Sequence, residues 1–382
     1  MTAISIKLII YIRVANTVLQ KGACMKRVNT ENLIPGMITA EDVYNYNNQL
    51  ILPKGIILND RTITKLAFYS ILSVRVDDQV PETSLDKASY ELSYAERIRM
   101  SPDFVQFRKE FEEDVNNFKS VMNDVVEKGA PLDVDKLMNH TLNILDISAT
   151  HPNVFDMLHC MKEYDDATYV HSMNVALICN IFARWMRMNE EEICMATVSG
   201  LLHDIGKTKI PDNIIKKPGK LTDSEYSLVQ THPQEGYRIL QSSQLDPEVL
   251  NAVLMHHERC DGTGYPSHLT GDKIGKFAKM VSIADVYDAM TSARIYRGPL
   301  CPFKAIALFE SEGLQKYDTQ CILTFLENVV NTYLLNEVRL SNGLTGHIVF
   351  VNRNKLSAPT VQTDHGFIDL SVRPDITIEA LI

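Results

Sequence analysis

The chain has 382 residues, 45% hydrophobic and 23% charged, ordinary globular proportions that exclude a disordered, collagen-like or membrane-embedded polypeptide and leave length for two or three domains. Its 38 Lys and Arg against 48 Asp and Glu give a formal net charge of −10. That balance excludes sequence-independent grip on a nucleic acid polymer, which needs a basic face, and leaves small nucleotides held by a few placed cations. The 7 cysteines form an odd set with no C-x-x-C pair, which suits a reducing, cytoplasmic setting and mostly buried thiols.

Residues 1–24 read as a leader, or as a mis-called start ahead of Met25, Lys26 and Arg27. The apolar stretch 4–19 is divided by Lys7 and Arg13 into pieces far short of the about 20 residues a spanning helix requires, so no membrane span is expected. Lys21 stands where a lipoprotein signal ending at Cys24 would want an aliphatic residue. Residues 25–81 show short apolar runs (50–52, 56–58, 72–76) bounded by Pro35-Gly36, 53–55 and Asn59-Asp60. They predict a small β-rich domain with one helix over 61–69.

Residues 82–131 predict a helical linker. Phe104, Phe107, Phe111, Val115, Phe118, Met122 and Val125 recur at steps of three and four and fall on one face of a long helix. That face packs on the next domain or pairs with a second copy in a homodimer. Residues 132–333 read as successive helices interrupted at Pro211, Pro218-Gly219, Pro233, 262–266 and Gly298-Pro299. Residues 334–382 change character, with a turn signal at Ser341-Asn342-Gly343, a β-branched run over 345–351 and alternation over 367–372, predicting a short β extension. The expected class is mainly α with β structure at both ends.

In the helical body, groups able to bind a metal recur at intervals of one helix plus its return connection: His171, His203-Asp204, His232, His256-His257 and Asp285. Such spacing lets successive helices of a bundle deliver ligands to one centre. Taken singly, a helical histidine is more often a core or surface group than a ligand, a His-Asp doublet is common, and His232 before Pro233 marks a helix end. Five segments imitating the pattern together is what those readings leave unexplained. Imidazole and carboxylate donors suit iron, manganese or zinc, and a set without cysteine argues against a zinc finger or an iron–sulfur cluster. Seven ligands exceed what one ion holds with a position left open, so two divalent ions are expected, bridged by Asp204. Such a pair, about 3.5–4 Å apart, acidifies a bridging water and clamps phosphoryl oxygens, which is phosphodiester hydrolysis.

The neighbouring residues take roles around that site. Lys207, on the helical face of His203 and Asp204, reaches a phosphate or leaving oxygen, or is a solvated surface lysine. Asp288, one turn after Asp285, accepts the second N–H of a ligand histidine. Arg294 and Arg297 offer planar donor forks to phosphate or guanine. Gly262, Gly264 and Pro266 shape a loop over an anionic substrate, while Glu258 either makes a helix-end salt bridge or orients a ligand.

His203-Asp204-Ile205-Gly206-Lys207 resembles the HD signature, and the segment from His256-His257-Glu258 through Asp261-Gly262-Thr263-Gly264-Tyr265-Pro266 resembles the HHExxDGxGYP motif of the HD-GYP family. His171-Ser172, residues 232–236, residues 283–292 and Tyr296-Arg297 resemble the same family in the same order, over about residues 145–330. Residues 28–80 resemble the small domain often found before this module. The resemblance implies an HD-type helical bundle that hydrolyses cyclic di-GMP to pGpG, and in some members on to GMP, through a hydroxide bridging the metals. Carried over by motif, the metal ligands are His171, His203, Asp204, His232, His256, His257 and Asp285, with Asp204 and Lys207 catalytic. Lys207, Gly264, Tyr265, Arg294 and Arg297 would meet the substrate. Where some relatives have a glutamate for a third ion, this chain has Ala167, with Asp165 and Asp166 nearby, so two ions, iron or manganese before zinc, are expected. Two other readings remain: a cyclic di-GMP receptor that acts through signalling protein partners with little turnover, and an HD hydrolase of another cyclic dinucleotide such as cyclic GMP-AMP.

Overall fold

The computed structural model describes residues 25–30, 33–34, 36–44, 50–58, 62–63, 66, 69, 71–77, 94–138, 141, 144, 154–161, 167–215, 217, 221–292 and 301–382. Residues 1–87 with 218–220 form one compact unit and the rest of the chain a second. The first holds strands β1 (Met25–Asn29), β2 (Ile38–Thr39), β3 (Val43–Tyr44), β4 (Leu50–Leu52) and β5 (Ser73–Asp77). β5 pairs antiparallel with β1 and β2, and β3 with β4. Alternation along β5 turns Val74 and Val76 inward onto Val28, Leu33, Ile51, Leu58 and Leu66. The helix expected over 61–69 lies largely outside the described residues, where 62, 63 and 66 are helical. The leader reading of 1–24 lies outside them altogether.

The second unit opens with α1 (Tyr94–Met100) and α2 (Pro102–Lys128). α2 starts on Ser101, whose hydroxyl accepts the Phe104 N–H, and ends at Gly129, which at φ 63 returns its N–H to the Asp124 carbonyl. Its apolar stripe is covered by the chain itself: Phe107, Phe111 and Met122 are 0% exposed, and Phe118 meets Tyr169 edge-on at 5.6 Å. Packing within the molecule therefore accounts for the stripe, and a helix pair between copies is not needed to cover it.

The helical body follows as α3 (Val154–Cys160), α4 (Ala167–Trp185), α5 (Glu190–Leu202), a 3₁₀ turn (Ile205–Lys209), α6 (Asp212–Ile215), α7 (Asp223–Val229), α8 (His232–Leu240), α9 (Pro247–Met255), α10 (Lys276–Thr291), α11 (Pro302–Leu308), a π turn (Phe309–Gly313) and α12 (Thr319–Asn331). Asn189 with Glu192 and Thr222 with Glu225 form reciprocal capping boxes that start α5 and α7. α10 is apolar nearly all round, as a central helix must be, and packs on α4, α5 and α9. α4 and α5 approach closely at Gly200, where a Cβ would lie 2.9 Å from the Ala176 Cα.

Strands β6 (Glu337–Leu340), β7 (Thr345–Phe350), β8 (Thr360–Thr363), β9 (Gly366–Asp369) and β10 (Ile378–Leu381) close the chain as an antiparallel sheet in the order β10-β6-β7-β8-β9. The turn read at Ser341-Asn342-Gly343 joins β6 to β7, with Gly343 at φ 84. Two polar ties fasten this sheet to the helices. The Glu310 carboxylate, in the π turn, accepts the Leu356 and Ser357 N–H groups and the Ser357 hydroxyl. The Tyr94 hydroxyl donates to Asp156 at 2.6 Å and accepts from the Asn336 amide at 3.1 Å. In chain order the architecture is a helical body with small sheets before it and a sheet after it. Among the described residues no helix is long and apolar enough to cross a membrane.

Candidate metal centre

Helix ends, more than helix faces, deliver the predicted ligands. His203 caps the C-terminus of α5, and Asp204 sits outside any helix at φ −98, ψ 4. The expectation that His203, Asp204 and Lys207 share one α-helical face is thereby corrected: the α-helix stops at Leu202, and the 3₁₀ turn brings the Lys207 ammonium to 2.5 Å from Asp204 Oδ2. His232 opens α8 instead of closing a helix, with Pro233 in the first turn, where its missing N–H leaves no bond unmade. The turn is pressed against α8 so closely that a Cβ on Gly206 would lie 1.9 Å from the His232 carbonyl oxygen. His256 ends α9, and Asp285 lies within α10.

These segments converge on two adjoining groups, Asp204 with His232, His256 and His257, and His171 with His203 and Asp285, the donor atoms within each lying within 4.8 Å of one another. His203, His232 and His256 each turn Nδ1 toward the carbonyl three residues back, on Gly200, Val229 and Val253, at 2.7, 2.7 and 2.8 Å. A carbonyl only accepts, so Nδ1 carries the proton and the Nε2 lone pair faces the centre. Such carbonyls are free because they lie in the last turns of α5, α7 and α9.

The consequence is an arrangement that calls for a cation. His232 Nε2 and His256 Nε2 face each other at 3.2 Å, two lone pairs with no proton of their own to share. His203 Nε2 and Asp204 Oδ1 are buried without a hydrogen-bond partner, a cost that bound cations remove. Asp204, 1% exposed, spans both groups: Oδ1 lies 3.3 Å from His232 Nε2, and Oδ2 lies 3.4 Å from His203 Nε2 and 3.8 Å from His171 Nε2. The donor set fits divalent metal ions.

The electrostatics agree with this. Burial raises the Asp204 pKa, but Lys207 and His203 outweigh it and hold the carboxyl well below the usual range. Asp285 is likewise lowered, against burial, by His171. Burial and the neighbouring imidazoles push His256 and His257 down and keep them neutral. Burial opposes protonation of His171 too, but Asp285 and Asp288 together raise it to about 10. Lys207, opposed by burial, is raised by Asp204 and stays charged. The structure sets Asp288 Oδ2 2.7 Å from His171 Nδ1, and Asp285 Oδ1 3.0 Å from its Nε2. Asp288 also accepts from Asn174 and Ser292.

The loop after His257 borders the centre. Tyr265 stacks on His257 with centroids 4.7 Å apart. Glu258, 2% exposed, makes neither of the contacts considered for it from sequence: its carboxylate accepts the Ser267 and Leu269 N–H groups at 2.6 and 2.9 Å, fastening the loop to its own base. Gly264 is fixed by close approach, since a Cβ there would lie 2.3 Å from the Arg259 nitrogen. The far side of the loop is braced by the Cys260 N–H on the Lys316 carbonyl and by Arg259 over the Tyr317 ring. Arg294, Arg297, Asp165 and Asp166 lie outside the described residues, and Ala167 opens α4. Sequence reasoning passed over Asn174 and Ser292; the available signal was spacing, three residues after His171 and four after Asp288 on the same helical faces.

The sequence profile of the family described as HD domain matches residues 154–321. That segment is similar to HD domains. Among characterised proteins, the chain is 38% identical over 229 residues to cyclic di-GMP phosphodiesterase PA4108 of Pseudomonas aeruginosa, covering 58% of this chain and 55% of that one. It is 36% identical over 160 residues to the cyclic di-GMP phosphodiesterase response regulator RpfG of Xanthomonas campestris, covering 41% and 42%. With 3'3'-cGAMP-specific phosphodiesterase 1 of Vibrio cholerae it shares 37% identity over 154 residues, covering 40% and 34%. The chain thus spans about half the length of the first two relatives. Among solved structures, the HDG"Y"P protein Bd1817 of Bdellovibrio bacteriovorus aligns with a TM-score of 0.45 at 16% identity, over 80% of this chain and 99% of that one.

Proposed function

We propose that the protein is a metal-dependent phosphodiesterase that hydrolyses cyclic di-GMP to pGpG or GMP, working in the cytoplasm. The observation that carries this reading is Asp204, a buried carboxylate whose two oxygens face histidine Nε2 atoms of both donor groups. His171, His203, Asp204, His232, His256, His257 and Asp285 would hold two divalent ions, iron or manganese before zinc. Bound there, such ions supply the charge that activates water and neutralises phosphoryl oxygens. Lys207, 28% exposed and held charged by Asp204, presents its ammonium to a phosphoryl or leaving oxygen. Tyr265, against His257, forms one wall for the substrate, with Gly264 shaping the loop that carries it. Arg294 and Arg297 take phosphate or guanine. The relatives named as cyclic di-GMP phosphodiesterases support the substrate, and the six cysteines among the described residues, all free, support a reducing compartment.

A second substrate reading, hydrolysis of cyclic GMP-AMP, is favoured by the similarity to the Vibrio cholerae enzyme specific for it. The receptor reading is disfavoured because the ligand set and Tyr265 are all present. Product chromatography of metal-replete protein with either dinucleotide tests both. Turnover of cyclic di-GMP to pGpG or GMP is the expected result, together with two ions per chain by elemental analysis. His203→Ala and Asp204→Ala each lose bound metal and turnover; unchanged turnover in either variant overturns the assignment.

A further inference from the structure

His171 differs from the other oriented histidines in where it stands. His203, His232 and His256 borrow spare carbonyls at helix ends, whereas His171 lies inside α4, where the backbone carbonyls are committed to the helix. Its ring must be oriented by side chains. Asp288, 3% exposed, does this through Oδ2, 2.7 Å from His171 Nδ1. A carboxylate on two rotatable bonds with a single partner would swing, and here its other oxygen is pinned twice: Asp288 Oδ1 accepts the Asn174 amide at 2.9 Å and the Ser292 hydroxyl. The Asn174 amide also lies 3.3 Å from the Ser292 hydroxyl oxygen. Asn174 follows His171 by one turn of α4, and Ser292 follows Asp288 by one turn at the end of α10, so the bonds clamp the two helices at the ligand they share. Asn174 is 2% exposed and its Oδ1 has no hydrogen-bond partner. A buried amide left half-satisfied costs stability that an apolar residue of similar size would not, so its presence is accounted for by the bond it gives to Asp288.

We propose that Asn174 and Ser292 are positioning residues of this site: they hold the Asp288 carboxylate so that it accepts the His171 Nδ1–H and aims Nε2, beside Asp285, at the ion of the His171, His203 and Asp285 group. The inference rests on the two-ion reading given above. Removing a partner that orients a ligand lowers metal affinity by about 10- to 100-fold. Because Asn174 and Ser292 act through Asp288, the loss falls on one ion and leaves the Asp204, His232, His256 and His257 group at full strength.

The test is a competition titration of Mn²⁺ against a chromophoric chelator, with wild type, Asn174→Leu, Ser292→Ala, Ser292→Thr, and Asn174→Leu in an Asp288→Ala background, alongside melting of each ion-free protein. Expected are two Mn²⁺ in wild type, with one of them weakened about 10- to 100-fold in Asn174→Leu and Ser292→Ala. Ser292→Thr, which keeps the hydroxyl, retains wild-type affinity, and Asn174→Leu adds no further loss once Asp288 is gone. Should Asn174→Leu fail to fold, the Ser292→Ala and Ser292→Thr pair decides. Wild-type affinity for both ions in Ser292→Ala, equal weakening of both ions, or an undiminished Asn174→Leu effect in the Asp288→Ala background overturns the positioning role alone. A wild-type chain that binds no Mn²⁺, Fe²⁺ or Zn²⁺ overturns the two-ion reading and this inference with it.

Discussion

At the scale of single residues, the centre is built by letting backbone carbonyls at helix ends choose the tautomer of three histidines, so that ligand geometry is set by where helices stop. Glu258 extends the same economy to the neighbouring loop, its two oxygens satisfying the Ser267 and Leu269 N–H groups. In Glu258→Gln one oxygen becomes an NH₂ that confronts an N–H donor, and an unmade buried bond costs about 1–3 kcal/mol. Expected are a lower melting temperature and faster proteolysis within the loop, with the bound-ion content unchanged; loss of an ion would instead make Glu258 a ligand. The His and Asp donors that converge were legible in the sequence because each helix-and-return contributes its own. The tie between Asn174 and Ser292 was not, since spacing sets each beside a residue of its own helix but does not show which side chain of another helix it meets. Three-residue spacing put Lys207 near Asp204, but its ion pair with that carboxylate was not read from sequence, and the break after Leu202 gave no signal beyond Gly206.

At the scale of elements, α2, α5, α7, α9 and α12 start where side chains cap them, and one cap is also charged toward a neighbour. Asp318 accepts the Cys321 N–H at the start of α12 and pairs with Lys279 of α10 at 3.0 Å. Burial raises its pKa, but the N–H bond and Lys279 outweigh that and lower it. A carboxyl lowered on folding stabilises the fold above its unfolded pKa, about 3.9, and loses that contribution as pH falls through the folded value. Asn caps as well as Asp, so Asp318→Asn isolates the charge. Its urea midpoint falls below wild type at pH 7 by an amount equivalent to about 1 kcal/mol or less, and the gap narrows as pH drops below about 4. A gap that is constant from pH 7 to pH 3 removes the ion pair from the account. The long α2 was legible because its stripe repeats at helical spacing; what the spacing left undecided, packing or pairing, depends on which surface arrives opposite it.

At the scale of the molecule, the β structure at either end was legible from short apolar runs and turn residues, but the ties that make the C-terminal sheet part of the helical unit were not. Glu310 meets Leu356 and Ser357, and Tyr94 meets Asp156 and Asn336, across long stretches of chain, and no local pattern announces such bonds. Their expected consequence is that the sheet unfolds together with the helices of the unit it belongs to. Ions that bind only the folded centre stabilise that unit by mass action, about 2.7 kcal/mol per site at a free concentration one hundred times the dissociation constant. At about 2–4 °C per kcal/mol for a domain of this size, removal of both ions lowers the transition by roughly 10–20 °C. Calorimetry with and without chelator is expected to show this shift in the transition that carries both the helices and the C-terminal sheet. Asp204→Asn, which takes a charge from the carboxylate facing both donor groups, largely abolishes the difference. A sheet that melts separately and ignores the chelator would show that Glu310 and Tyr94 do not couple it to the helical body.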